Sequence, residues 1–246
     1  MIFLAWGVTG AGHFLLETFT LMREVAKRDD VKVTTYLTRA GEEVVKIYGL
    51  WNPLGEISDG GYYSEVLTEA EEGAGAPSAG RLARGVYRAI IVSPASANTV
   101  AKVRLGIADT VVTNAVAQAL KSGTPVLILP TDQVTEEFET VLPHRVNREA
   151  CIGCRPCPAE VACPTGALKR VEEKMKVQLT LCMGCGLCLD ACPYGAIRFG
   201  ERIRLKPRRI DVENVESLRK MEGLRVLGTP QELREAIDEL LGGSRS

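Results

Sequence analysis

The chain opens on an apolar run, residues 2–6, that ends in Gly7-Val8-Thr9-Gly10-Ala11-Gly12. Behind it Leu15, Leu16, Phe19, Met22 and Ala26 recur on one helical face, so the pattern predicts strand, tight turn and amphipathic helix in that order. The alternation returns further on. Residues 31–37 read as a strand ending in Thr38-Arg39, residues 89–92 and 126–129 as two more, and a helix is expected around 107–121. Strands alternating with helices predict an α/β fold, a Rossmann-like, mostly parallel sheet covered on both faces. Near the C-terminus, residues 212–221 predict a helix closed by Gly223, and 224–227 a strand. Thr229-Pro230-Gln231-Glu232 then forms a capping box with proline at the first helical position, opening a helix to about Leu241. This last strand and helix most simply complete the sheet; the alternative is an independent helical tail. The expected division is 1–145 and 206–246 for the sheet domain, with 146–205 inserted as a small α+β unit.

The inserted region holds all eight cysteines. Cys151, Cys154 and Cys157 stand two residues apart and are followed by Cys163-Pro164; Cys182, Cys185 and Cys188 repeat the triple and are followed by Cys192-Pro193. The second group matches the bacterial ferredoxin run, whose fourth cysteine ligates the other cluster. Two-residue gaps let three thiolates of one tight loop reach three irons of one cubane, and the fourth must come from elsewhere. Crossing the ligands predicts one [4Fe–4S] cluster on Cys151, Cys154, Cys157 and Cys192, and a second on Cys182, Cys185, Cys188 and Cys163. The gap before Cys163 is five residues where three is usual, which need only lengthen a loop. An internal echo, Cys163-Pro164-Thr165-Gly166-Ala167-Leu168 against Cys192-Pro193-Tyr194-Gly195-Ala196-Ile197, marks two copies of one half-unit. Four-thiolate zinc sites use paired knuckles rather than triples ending in Cys-Pro.

Composition narrows the setting. The 246 residues are 46% hydrophobic and 25% charged with a formal net charge of −1, a folded-protein profile with no global field for nucleic acid or an acidic membrane. Neither a signal-type leader nor an apolar run long enough to span a bilayer is expected, and clustered thiols fit a cytoplasmic, reducing compartment. The basic run Lys206-Pro207-Arg208-Arg209 reads as a solvated linker.

The candidate ligand loops follow the strands. Gly7 to Gly12 forms a glycine-rich turn at a helix start, suited to a phosphate, though its order is not that of the dinucleotide fingerprint. Thr38 and Arg39 suit a phosphate better than a ribose. Ser93-Pro94-Ala95-Ser96-Ala97-Asn98-Thr99 places small residues, hydroxyls and an amide directly after a strand, with Lys102 and Gly106-Ile107-Ala108-Asp109 beyond.

Those stretches resemble the signature of the homo-oligomeric flavin-binding proteins that include the flavin-dependent cysteine decarboxylases. Gly7-Val8-Thr9-Gly10 resembles their first loop, and Thr38 stands where they bind the phosphate end of FMN. The resemblance covers residues 1 to about 130. It implies FMN at a subunit interface, commonly in a trimer-based assembly, held by Thr9, Gly10, Thr38, Arg39, Ser93, Ala95, Ser96, Asn98 and Thr99. The decarboxylase histidine and the substrate clamp P-x-M-N-x-x-M-W are missing, since no histidine falls between His13 and His144, so decarboxylation is disfavoured. With its cluster region, the whole chain resembles the archaeal iron–flavoproteins of the dihydromethanopterin reductase (acceptor) group, on Ala5 to His13 and Asp211 to Val215. That implies electrons passing from a donor, ferredoxin-like in kind, through the clusters to FMN and on to a dihydropterin. The alternative is a carrier that delivers electrons to another redox protein; an NADPH enzyme using Arg39 lacks its fingerprint. His13 is expected at a helix start beside the flavin, His144 at the domain junction, Tyr62 and Tyr63 in a variable loop, and Arg81 and Arg84 on a flexible or solvated segment.

Overall fold

The computed structural model describes residues 1–242. The strands are β1 Ile2–Val8, β2 Val31–Leu37, β3 Val66–Thr68, β4 Ala89–Ala95, β5 Val126–Pro130, β6 Phe138–Val141, β7 Arg145–Val146, β8 Leu168–Val171, β9 Lys174–Val177, β10 Ile197–Arg198, β11 Arg202–Leu205 and β12 Leu224–Val226. The helices are α1 Leu15–Ala26, α2 Arg39–Ile47, α3 Trp51–Ile57, α4 Glu69–Glu72, α5 Gly80–Ala83, α6 Ala97–Arg104, α7 Val111–Ser122, α8 Pro158–Val161, α9 Leu187–Ala191, α10 Arg209–Leu218 and α11 Pro230–Gly242.

One sheet of six parallel strands runs β3-β2-β1-β4-β5-β12. Its central strands are buried on both faces, which is why β4 is buried along its whole length. One face is covered by α1, α3 and α11 through Leu15, Phe19, Leu54, Leu233 and Ile237. The other is covered by α6, α7 and α10 through Val100, Val112, Val116, Val215 and Leu218.

Between β5 and α10 the chain makes an excursion. It leaves along β6 and returns along β11, paired antiparallel from Phe138↔Leu205 to Val141↔Arg202. Beyond this ribbon, β7 pairs with β10 and β8 with β9 around a small core of Cys151, Cys157, Ala159, Leu168, Met175 and Ile197. The five-residue gap before Cys163 holds the single turn of α8. Back from the ribbon, β12 takes its place parallel to β5, with Leu224 opposite Val126. No described helix is long and apolar enough to cross a membrane.

Several expectations are adjusted. The helix expected around 107–121 begins at Val111, because Thr110 caps it reciprocally with Thr113 and leaves Ile107 42% exposed in the preceding loop. The stretch after Ser96 is helix α6 rather than loop, with the Ser96 hydroxyl accepting from the Thr99 amide. The helix expected at 212–221 begins at Arg209, and the basic run starts it: Arg208 forks onto Asp211 at 2.8 and 2.7 Å and Arg209 meets Glu213 at 2.7 Å. Arg81 is tied down as well, bidentate to Glu65 at 3.0 and 3.1 Å and stacked over Tyr63.

Leu233 of α11 is fully buried against the main sheet. Leu233→Ala should therefore lower global stability by about 2–5 kcal/mol, read as a lower denaturation midpoint at unchanged slope. An independent tail would leave the main transition within about 0.5 kcal/mol of the parent.

Candidate functional site

The strand order reverses between β1 and β4, whose following helices α1 and α6 lie on opposite faces of the sheet. Open parallel sheets bind ligands at this point, in the crevice outside the carboxyl ends of the two strands. A framework of buried hydroxyls holds that crevice open. The Thr9 hydroxyl donates to the Pro94 carbonyl at 2.8 Å and accepts from the Ser96 amide at 2.8 Å, locking the two loops together. Ser93 is sealed below, its hydroxyl 2.6 Å from that of Thr18 and its carbonyl accepting from Trp6 Nε1 at 3.1 Å. Ala95 presents its carbonyl to the Thr131 amide at 3.0 Å. Thr99 is buried beside Ser96, the two hydroxyls 3.2 Å apart.

The sequence-derived residues thus fall into two sets. Thr9, Ser93, Ala95 and Thr99 build the frame, while Gly10, Ser96 and Asn98 sit at the rim, with Gly10 and Asn98 exposed. Gly10 is required by a close approach: an added Cβ would lie 2.5 Å from the Cβ of Ala40 at the start of α2. Such a cleft, small-walled and lined by backbone and hydroxyls, fits a flat ligand with a phosphate tail.

At α2 the polar groups are mostly engaged already. Thr38 caps the helix by accepting from the Gly41 amide at 3.0 Å. The Arg39 amide donates to Glu69 at 2.8 Å, and the other oxygen of that carboxylate accepts from Val111 at the start of α7 at 3.3 Å. The exposed Arg39 guanidinium, 3.8 Å from Glu43, is the cation left for an anionic tail. Glu69 was invisible in sequence reasoning, because nothing local marks a carboxylate that serves two distant helix ends.

His13 stands in the turn before α1, packed on Phe14 and on Phe138 of β6 at ring distances of 3.8 and 4.4 Å. Burial lowers its pKa below the usual histidine value, with Glu17 and Asp132 pulling the other way. His144 is buried at the junction with no hydrogen-bond partner on either ring nitrogen among the described residues. Burial lowers its pKa too, the Ile47 carbonyl opposing. Tyr63 packs on Phe3 at 4.8 Å, and Tyr62 is exposed.

The cysteines converge in groups. Burial first, then the neighbouring Cys182, Cys185 and Cys163, push the Cys188 thiol up to about 11. Cys182 is raised by burial and by Cys163 and Cys185, so Cys163 from the first half-unit lies within electrostatic reach of the second triple. Cys154 is raised by burial and by Cys157 and Cys151. Cys163 itself is lowered: burial is outweighed by hydrogen bonds from the Thr165 hydroxyl and the Leu168, Ala167 and Thr165 amides. The Ala167 and Gly184 amides donate to the sulfurs of Cys163 and Cys182 at 3.2 and 3.4 Å. Packed thiols that repel one another when ionised, and accept amide hydrogen bonds, suit a multi-iron centre whose positive charge replaces their protons.

Thr9 and Asn98 separate frame from rim. Thr9→Val should lower the melting temperature, because the Ser96 amide loses its acceptor, at a cost of about 1–3 kcal/mol. Asn98→Ala, at an exposed site, should leave stability within about 0.5 kcal/mol of the parent. Thermal unfolding of the two variants checks both.

Comparison with known proteins places the chain in a family. A family model described as Flavoprotein matches residues 2–177, and one described as a 4Fe-4S binding domain matches residues 175–198. The dihydromethanopterin reductase (acceptor) of Methanosarcina mazei is 39% identical over 234 residues, 94% of this chain and 97% of its own. That of Methanocaldococcus jannaschii is 44% identical over 233 residues, 94% of each. The crystal structure of Burkholderia xenovorans DmrB in complex with FMN, described as a cubic protein cage for redox transfer, superposes with a TM-score of 0.62 at 26% identity, covering 98% of this chain and 95% of that one. The chain belongs to the flavoprotein family, among the relatives of dihydromethanopterin reductase (acceptor), and carries a 4Fe–4S binding domain.

Proposed function

We propose that this chain reduces dihydromethanopterin to tetrahydromethanopterin, using electrons that a donor passes through two [4Fe–4S] clusters to FMN. The observation that carries the reading is identity of 39% and 44% to two reductases of that name over 94% of the chain, sheet and cysteine region together. In this reading Cys151, Cys154, Cys157 and Cys192 hold one cluster, and Cys182, Cys185, Cys188 and Cys163 the other. The electrostatic reach of Cys163 to the second triple supports the crossed assignment.

FMN belongs in the crevice at the ends of β1 and β4, with Gly10, Ser96, Asn98 and Arg39 against it and Thr9, Thr38, Ser93, Ala95 and Thr99 shaping the walls. Bound flavin supplies a two-electron store, which matches one-electron clusters to an imine that takes a hydride equivalent. The chain's own part is to orient that flavin and to keep the clusters at a fixed position beside it. Division into 1–145, 146–205 and 206–246 is supported by the β6–β11 ribbon, which leaves the sheet and returns to it. Leu105, 67% exposed just before the 106–109 loop, and Ile107 within it form an apolar surface in keeping with a trimer-based homo-oligomer that shares FMN between subunits. A ferredoxin-like protein fits as the donor, and the cytoplasm as the compartment.

Anaerobic single turnover tests the activity. Protein reduced, freed of reductant and mixed with dihydromethanopterin should reoxidise stoichiometrically and yield tetrahydromethanopterin. A protein that stays reduced with the pterin, yet reoxidises rapidly with an acceptor protein, would be a carrier instead.

A further inference from the structure

The two cysteine triples differ in what their central glycines touch. Gly153 and Gly184 occupy equivalent places, each between the first and second cysteine of its triple, and both have positive φ, 71° and 62°. Gly153 turns toward its own unit, where an added Cβ would lie 2.1 Å from the Glu173 carbonyl oxygen. Gly184 turns toward the flavin-binding sheet. A Cβ there would lie 2.1 Å from the amide nitrogen of Gly49, 2.6 Å from its Cα and 2.8 Å from the Ile47 carbonyl oxygen. Reciprocally, a Cβ on Gly49 would lie 2.5 Å from the Gly184 carbonyl oxygen. Two glycine backbones therefore meet with no side chain between them.

Gly49 ends α2, its amide donating to the Lys46 carbonyl at 2.9 Å. The opposite end of the same helix, at Thr38, lies against the end of β1, where a Cβ on Gly41 would be 2.3 Å from the Val8 carbonyl oxygen. One rigid helix of nine residues thus joins the Cys182 loop to the crevice. Around the contact, Tyr48 donates to the Val141 carbonyl at 2.6 Å and packs edge-on against Phe199, which stacks on His144. The loop is braced from two sides.

We infer that the cluster on Cys163, Cys182, Cys185 and Cys188 is the one that hands electrons to the flavin, and that Gly49 is the positioning residue that sets its distance. The cluster on Cys151, Cys154, Cys157 and Cys192, beside the exposed Ile152, receives electrons from the donor. Each electron would leave the reduced donor and pass the outer and then the inner cluster, and two such transfers with one proton from solvent would take the oxidised flavin to its reduced anion. This rests on the two-cluster reading proposed above.

Gly49→Asn tests it. Asparagine tolerates left-handed backbone and is the second choice to glycine after a helix end, so the turn survives. Its Cβ, 2.5 Å from the Gly184 carbonyl oxygen and 3.2 Å from its carbon, nevertheless forces the Gly184 loop back by several tenths of an ångström. Gly123→Asn is the control, a residue ending α7 at φ 73° with nothing within 4 Å of an added Cβ. On rapid anaerobic mixing with a reduced ferredoxin as protein donor, Gly49→Asn should bleach its clusters normally and its flavin several-fold more slowly, with iron content, cluster EPR spectra and flavin occupancy as in the parent. Gly123→Asn should match the parent throughout. Parental flavin kinetics in Gly49→Asn, with eight irons loaded, would overturn the assignment and leave the two-cluster reading standing. Fewer than eight irons in the parent would overturn that reading itself. Should Gly49→Asn lose its cofactors, Cys154→Ser and Cys185→Ser decide: a remaining cluster that bleaches at the parental rate beside a slowly bleaching flavin in the Cys185 variant alone supports the order, and the same pattern in the Cys154 variant alone reverses it.

Discussion

A single buried hydroxyl carries the geometry on which the rest of the molecule depends. Thr9 ties β1 to β4 at the point where the sheet reverses its order, accepting from Ser96 and donating to Pro94. Without that tie, two loops of small residues would have no reason to hold a gap of fixed width. With it, the Ser96 cap of α6 and the crevice wall come from the same contact. Burial makes the tie strong, because an amide or hydroxyl left without a partner at this depth costs about 1–3 kcal/mol.

From the crevice, order spreads along α2. Val8 receives the start of that helix at Gly41, and Gly49 at the other end receives the cysteine loop at Gly184. A helix of this kind transmits position rather than charge. Its mixed outer surface, where Glu42 and Lys46 pair at 2.5 Å, borders a cleft of about 530 Å³ that runs to Cys182 and Met183. The antiparallel β6–β11 ribbon alone would let the cysteine unit swing, and the glycine contact and the Tyr48 hydrogen bond to Val141 remove that freedom. The position of the cysteine loop against the sheet is in this way a property of the folded chain.

Much of the sheet was legible in the sequence, because strands buried on both faces must be written as short apolar runs. The Thr229 cap was legible for a local reason, its hydroxyl accepting from the Glu232 amide at 3.1 Å. Helix α6 was not, since a stretch of alanine, asparagine and threonine serves a ligand loop as well as a first helical turn. The start of α7 was misplaced because Ile107 looks like a helix-face residue, whereas Lys102 pairs with Asp109 at 2.8 and 2.9 Å beside it in the loop. Glu69 and the Gly49–Gly184 contact were out of reach altogether. Each depends on backbone groups far apart in sequence, and a glycine after a helix reads only as its stop.

We propose above all that a cluster on the Cys182 loop lies fixed beside a flavin at the ends of β1 and β4. Anomalous scattering at the iron edge, from crystals grown without oxygen and with FMN bound, measures this directly. The expected map shows two four-iron peaks, with the one ringed by Cys163, Cys182, Cys185 and Cys188 nearer the flavin ring. Single-metal peaks at the cysteines, flavin density away from Ser96 and Asn98, or the Cys151 cluster nearer the ring would contradict it.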